Sequence, residues 1–288
     1  MPELPEVETI KRGLIKLIIC QKITKVQILC EKSFQGESGE IEGACITNLR
    51  RFGKALIIDL DNQKSLMIHL RMTGQLIFDS KNQNNRFAAG HPNENFLDNL
   101  PNKQTRAIIE LNEGTLYFND QRKFGFIKVL GTKDVEDDDF IKKLAPEPWD
   151  IFYEDFYKKL QRHKNAPIKA AILDQTIIAG LGNIYADETL FMSKIHPETK
   201  AGKITEDQAK KIIENAKKVM DLSIESGGST MRDYKKADGT RGNYLDKFVQ
   251  VFGRQGKKCL VCGATIKKIK VAGRGTHICP NCQKEEDG

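Results

Sequence analysis

Apolar and polar positions change their period once along this chain. Between residues 22 and 130, short aliphatic stretches recur: "KITKVQIL", "ACITNLR", "KALIIDL", "SLMIHLRM", "TRAIIEL", "GTLYF" and "FGFIKVL". Turn signals such as "DLDNQ" and "LNEGT" separate several of them. Strand-length runs punctuated in this way predict an antiparallel β-sandwich or barrel rather than alternating βαβ units. Ahead of them, Ile10, Leu14, Leu17 and Ile18 recur at helical spacing and predict one helix with a single apolar face on the core. Pro5 suits the first helical position, and Glu6 and Glu8 suit the positive end of that helix. Residues 79–104 break the pattern. They are polar, asparagine-rich and aperiodic, and read as a mobile surface insertion to which no chemistry is assigned.

Beyond "GTKDVEDDDFIKKLAPEPWD" the period turns helical, in "EDFYKKLQRH", "PIKAAILDQTI" and "NIYADETLFMSK". A further helix is predicted from Thr205, which caps it with Gln208 reaching back, through Ala209, Ile212, Ile213, Ala216, Val219 and Met220 to a stop at Gly227 and Gly228. This places an N-terminal β domain over 1–131, a linker over 132–152 and a helical domain over 153–288. Two domains are the ordinary outcome for 288 residues.

Charge sharpens the picture. Lysine and arginine number 46 against 39 acids, a net +7, but the stretch from Arg232 to Arg274 holds 12 basic and 3 acidic residues, a local +9. A basic block of this kind around a metal site favours a polyanionic partner. No run approaches the ~18 apolar residues of a membrane span, and the acidic N-terminal stretch is unlike a signal peptide, so a soluble, cytoplasmic protein without a membrane partner is expected. Four of the seven cysteines form C-x2-C-x16-C-x2-C at Cys259, Cys262, Cys279 and Cys282. That spacing predicts a hairpin closing one tetrahedral Zn2+ site, structural because all four positions are thiolates. Cys20, Cys30 and Cys45 are expected to be reduced, small, buried apolar residues. His277 lies outside the ligand spacing and is read as a surface or packing residue.

The remaining candidates are weaker one by one. "VAGRGTH" puts Arg274 at the expected hairpin tip, where an arginine can grip a phosphate. "IAGLGNIYADE" has a glycine turn before a helix N-terminus; it is either a plain helix–turn–helix joint or an anion site to which Asn183 adds an amide. Lys54, His69 and Arg122 stand at strand ends, while Met72 and Phe124 would ordinarily be core, although Phe124 beside Arg122 could serve as a wedge in a base stack. "MPELPEVET" leaves Pro2 and Glu3 unexplained by helix capping. Once methionine is trimmed, Pro2 would carry a free secondary amine beside a carboxylate.

Taken together, "PELPEVET", "RRFGK", "HLRMTG", "RKFG", "LAPEPW", "GLGNIYADE", "GGSTMRDY" and the four-cysteine finger with "GRGT" resemble the formamidopyrimidine-DNA glycosylases of bacterial base-excision repair. The resemblance implies an α+β fold: an N-terminal β-sandwich with a leading helix, then a helical helix-two-turn-helix domain with a four-cysteine zinc-finger hairpin at 252–286. It implies a monomer acting on double-stranded DNA that contains oxidised purines or abasic sites. Pro2 would be the nucleophile, Glu3 the general acid or base, and Glu6 a support. Met72, Arg122 and Phe124 would fill the hole left by the flipped base, which reverses the core assignment of Met72 and Phe124. Lys54, His69, Asn183 and Arg274 would hold phosphates, with Lys54 and Arg274 counted in the catalytic set. The loop over 227–241, with Thr230, Arg232 and Tyr234, would close over the lesion base.

Three departures qualify the match: Gln121 where proline is usual, expected to loosen the wedge loop; Phe252 where tyrosine is usual; and the long insertion at 79–104. An endonuclease VIII-like enzyme of oxidised pyrimidines is the nearest rival, disfavoured by "PELPEV" and "RKFG". A non-enzymatic binder using only the zinc hairpin and basic block is the other.

Overall fold

The computed structural model describes residues 1–81, 86–90, 99–228 and 244–285. Contacts divide them into two units, residues 1–142 with 224–228 and residues 143–223 with 244–285.

In the first unit, helix α1 (Leu4–Ile18) precedes ten strands: β1 (Ile23–Ile28), β2 (Phe34–Gln35), β3 (Ile46–Phe52), β4 (Ala55–Leu60), β5 (Lys64–His69), β6 (Gly74–Ser80), β7 (Arg86–Gly90), β8 (Thr105–Leu111), β9 (Gly114–Asp120) and β10 (Phe126–Gly131). They form two five-stranded sheets, ordered β1-β8-β9-β6-β7 and β2-β10-β5-β4-β3. The architecture is therefore the sandwich rather than the barrel. One pair departs from the antiparallel expectation, because the two-residue β2 runs parallel to β10. Every second residue of facing strands enters a shared core: Leu56, Ile58 and Leu60 from β4, Leu66 and Ile68 from β5, Leu76 and Phe78 from β6, Ala107, Ile109 and Leu111 from β8. This is the period of two that the sequence displays. Helix α1 packs against β3 and β7, the last strands of the two sheets, and so covers edges that would otherwise be open. Val7, Ile10, Leu14 and Ile18 are its buried apolar face, each contributing roughly 1.5–3 kcal/mol on burial.

Three expectations need correction. The segment 79–104 is not structureless, since residues 86–90 form β7 paired to β6. Phe87 and Ala89 alternate into the core, and Gly13 of α1 makes room: a Cβ there would lie 2.2 Å from the Phe87 ring. Too few apolar residues mark this strand for its pattern to emerge from the polar sequence around it. Cys20, Cys30 and Cys45 are not buried; Cys20 is exposed and the other two are half-buried. Cys20 falls in the left-handed turn just beyond α1 (φ 64°), off the helix's apolar face. Pro5 is the second helical residue, with Glu3 at the N-cap.

The second unit follows α2 (Asp139–Lys142) and contains α3 (Tyr153–Arg162), α4 (Ile168–Leu173), α5 (Asn183–Ser193), most of α6 (Glu206–Glu225), α7 (Tyr244–Lys247) and the hairpin β11 (Lys267–Val271) and β12 (Arg274–Ile278). Thr205 and Gln208 form the reciprocal cap, with N···O distances of 2.9 and 3.2 Å. Helix α5 is buried almost all round, including Asp187, Glu188 and Thr189. Such a helix is an interior element, and its two carboxylates must find partners inside. No described helix is long and apolar enough to cross a membrane.

Candidate active site

At the head of α1, Glu3 and Glu6 are both buried, 3% and 2% exposed. The Glu3 backbone N–H donates to Glu6 Oε2 at 2.8 Å, closing a capping box that orients the residues next to Pro2. Pro2 is itself buried, and Met1 is exposed. One turn further, Glu8 does more than complement the helix dipole. It accepts from Arg51 Nε at 2.9 Å and pairs with Lys11 and Arg12. Burial raises its pKa, but the bonds from Arg51, Lys11 and Arg12 prevail and hold the carboxyl at about 2. Arg51 also donates to Gly53 O at 3.0 Å, which fastens the turn ahead of Lys54 to the first turns of α1.

Lys54 is 7% exposed and His69 4%. Ala55, next to Lys54, is the ladder partner of His69, and Phe126 flanks His69 on the other side. Burial first, then the positive charges of Arg71 and Lys54, push the His69 pKa down to about 3, so the ring is neutral near pH 7. Its Nδ1 accepts the Arg71 backbone N–H at 3.0 Å, which leaves the proton on Nε2 as a donor. The ring stacks on Phe126 and meets Phe140 edge-on.

Met72 and Phe124 are 40% and 50% exposed, so neither is a core residue. The Arg122 guanidinium lies 4.7 Å from the Phe124 ring centroid, in cation–π range. Met72 and Phe124 line one groove of about 600 Å³ together with Met1, Arg71 and Lys123. The N-terminus and these two exposed apolar side chains therefore border a common space.

In the second unit, Asn183 opens α5 behind Gly182, with its Nδ2 donating to Gly275 O at 3.1 Å. The helix start and the finger hairpin are thus joined. The hairpin tip is Ala272–Gly273, both at positive φ as a two-residue turn requires. Arg274 is the exposed first residue of β12 just beyond it, rather than the tip itself. Behind it lies a buried network. Lys169 Nζ meets Asp187 Oδ1 at 2.6 Å and Thr276 Oγ1 at 2.7 Å, and Asp187 Oδ2 accepts the His277 N–H at 2.8 Å. His277 is accordingly a packing residue, 5% exposed, with Phe252 edge-on to its ring at 5.0 Å. Glu188 accepts backbone N–H groups of Gln250, Val251 and Phe252, which fixes the entry to the finger.

The four cysteine sulfurs lie within 4.8 Å of one another, with Cys259–Cys282 at 3.9 Å and Cys262–Cys279 at 3.4 Å. A tetrahedral Zn–S bond of about 2.3 Å implies sulfur–sulfur edges of about 3.8 Å, so the donor set fits zinc with no position left for substrate. Thr230, Arg232 and Tyr234 lie outside the described residues.

Comparison with known proteins gives these constellations a common origin. A family model for the formamidopyrimidine-DNA glycosylase N-terminal domain matches residues 1–127, the corresponding H2TH domain matches 144–235, and a zinc finger found in FPG and IleRS matches 256–284. The chain is 40% identical over 290 residues to a formamidopyrimidine-DNA glycosylase of Ligilactobacillus salivarius, covering 98% of this chain and 99% of that one. It belongs to the formamidopyrimidine-DNA glycosylase family. A relative from Mycoplasma mobile is 38% identical, with 99% of each chain covered. Among solved structures, a mutant Lactococcus lactis FPG bound to Fapy-dG-containing DNA superposes with a TM-score of 0.86 at 36% identity, covering 99% of this chain and 100% of that one. MutM in complex with carbocyclic 8-oxo-G DNA superposes at 0.85 with 36% identity and the same coverage. The fold is the α+β arrangement of this family, and its finger is a zinc site.

Sequence reasoning passed over the residues that hold the functional ones in place: Arg51, Thr73, Asp120, Lys169, Asp187 and Glu188. Three of them left a trace. Asp187 and Glu188 lie in a helix whose apolar residues leave no polar face, which makes buried carboxylates predictable. Asp120 directly precedes the "QRKFG" turn, the position from which an aspartate bonds N–H groups further along.

Proposed function

We propose that this chain excises oxidised purines, 8-oxoguanine and formamidopyrimidines, from double-stranded DNA through a Schiff base on Pro2, then cleaves the abasic site by β,δ-elimination. The observation that carries this is the shared groove: the N-terminus borders the same space as Met72 and Phe124, while Glu3, two residues along the chain from Met1, is buried. The chemistry requires removal of Met1, because an amide nitrogen has no lone pair to give. The freed amine, with an ordinary pKa of about 8, has a useful neutral fraction near pH 7. Its lone pair forms a bond to C1′ as the glycosidic bond breaks and its electron pair leaves with the base; the nitrogen then sheds its proton, and Glu3 donates a proton to O4′ as the C1′–O4′ bond opens to leave the charged iminium. The resulting iminium acidifies C2′. Loss of that proton expels the 3′ phosphate, and a second elimination expels the 5′ phosphate. Arg122, Phe124 and Met72 occupy the vacated stack. His69 Nε2–H, Lys54, Asn183 and Arg274 supply donors to phosphates.

Borohydride trapping tests this reading. Reduction during turnover on an 8-oxoguanine duplex should lock protein to DNA, with the adduct on the N-terminal peptide beginning at Pro2. Retaining Met1 behind an N-terminal tag should abolish the adduct and leave binding largely intact. An adduct on Lys54 would overturn the assignment, and preferential excision of thymine glycol would favour the pyrimidine-specific alternative.

A further inference from the structure

The three side chains assigned above to the vacated stack sit on two separate loops, residues 70–73 and 121–125, and the loops share one buried carboxylate. Asp120, the last residue of β9, has no exposed surface. Its Oδ2 accepts the backbone N–H groups of Phe124 at 2.8 Å and Gly125 at 2.7 Å. Its Oδ1 accepts the Arg122 N–H at 3.1 Å and the hydroxyl of Thr73. Thr73 also accepts from the Arg122 N–H, at 3.1 Å. Gly125 is confined by the same group, since a Cβ there would lie 3.2 Å from Asp120 Oδ2 and 2.9 Å from Phe118. Arg71 and Lys123, one in each loop and each next to a void-filling residue, have left-handed backbones at φ 51° and 56°. Non-glycine residues in that region persist where surrounding bonds over-determine the turn.

Asp120 alone suffices to order the 121–125 turn. The Thr73 hydroxyl carries that order across to the loop of Met72. We propose that Thr73 is a positioning residue whose hydroxyl couples Met72 to Arg122 and Phe124, so that the three side chains enter the duplex as one rigid unit. The proposal rests on the void-filling role argued above. The Asp120 carboxylate directly precedes Gln121, which stands where proline is usual, and bonds the backbone of Arg122, Phe124 and Gly125 beyond it.

The test compares Thr73→Val, which keeps the shape and removes both hydrogen bonds, with Thr73→Ser, which keeps them, and with Arg122→Ala. Single-turnover excision of 8-oxoguanine opposite cytosine should fall about tenfold in Thr73→Val, the size expected for losing a hydrogen bond to a charged carboxylate. Cleavage of a ready-made abasic site should change less than about twofold, because less unstacking is needed there. Thr73→Ser should recover most of the loss. In a double-mutant cycle, Met72→Ala and Arg122→Ala should be non-additive with Thr73 present and additive with valine there. Equal losses on both substrates, or unimpaired excision by Thr73→Val when Arg122→Ala is impaired, would sink the coupling. If Arg122→Ala excises the lesion normally, the void-filling role fails and the coupling fails with it.

Discussion

Lys169 and Asp187 meet at 2.6 Å with neither side chain exposed, and between them they hold four groups of the β12 strand: Gly275 O, Thr276 Oγ1, and the His277 N–H and ring. This pair joins α4 and α5 to the hairpin that carries Arg274. Removing one member leaves the other as an uncompensated buried charge, which costs about 3–5 kcal/mol. Asp187→Ala should therefore lower stability by that order in denaturant unfolding. It should also speed zinc transfer to a chromogenic chelator, because the finger loses its dock. A destabilised variant that released zinc at the native rate would show that the pair supports the helices alone.

The zinc site and the phosphate contact are separable. Cys279→Ser should lose zinc by metal analysis and weaken duplex binding, since Cys279 is buried against Phe191, Val251 and Ile266 and frames the hairpin. Arg274→Ala should retain zinc, bind more weakly, and reduce the slope of log affinity against log salt by about one phosphate contact. Full affinity in a zinc-free Cys279→Ser protein would contradict this division of labour.

Arg122 is exposed and stands over Phe124. Arg122→Ala should blunt the preference for cytosine over adenine opposite the lesion more than it slows cleavage of preformed abasic DNA. The measurement is single-turnover excision with each opposite base, alongside an abasic duplex. Parallel losses on all substrates would point to general affinity instead.

Glu8 supplies a pH signature. Its carboxyl titrates at about 2 rather than the ordinary 4.5, so its ionised form stabilises the fold fully above about pH 4.5. That contribution is lost as pH falls towards 2. Linkage over this window is on the order of 3 kcal/mol. Glu8→Gln should therefore be less stable than the parent at pH 6, with the gap narrowing as unfolding is measured at lower pH. A gap of constant size between pH 6 and 2.5 would mean that Glu8 acts through packing and not through its charge.

What the sequence determined by itself were the features that one segment suffices to encode. Period-two runs marked most strands, the Thr205–Gln208 pair marked a helix start, and C-x2-C spacing marked the metal site, because each depends on neighbours a few residues apart. The N-terminal "PELPEVET" and the "RKFG" turn were legible in the same way. Tertiary structure decided what distant segments do to one another. β7 became a strand because Phe87 found space beside Gly13, 74 positions earlier in the chain. Glu8 became the partner of Arg51, and His69 was made neutral by burial and by the charges of Arg71 and Lys54. Thr73 and Asp120 met 47 residues apart, and Lys169 and Asp187 became the buried support of a hairpin about a hundred residues downstream. Burial and charge pairing depend on which surfaces meet, and no local spacing records that.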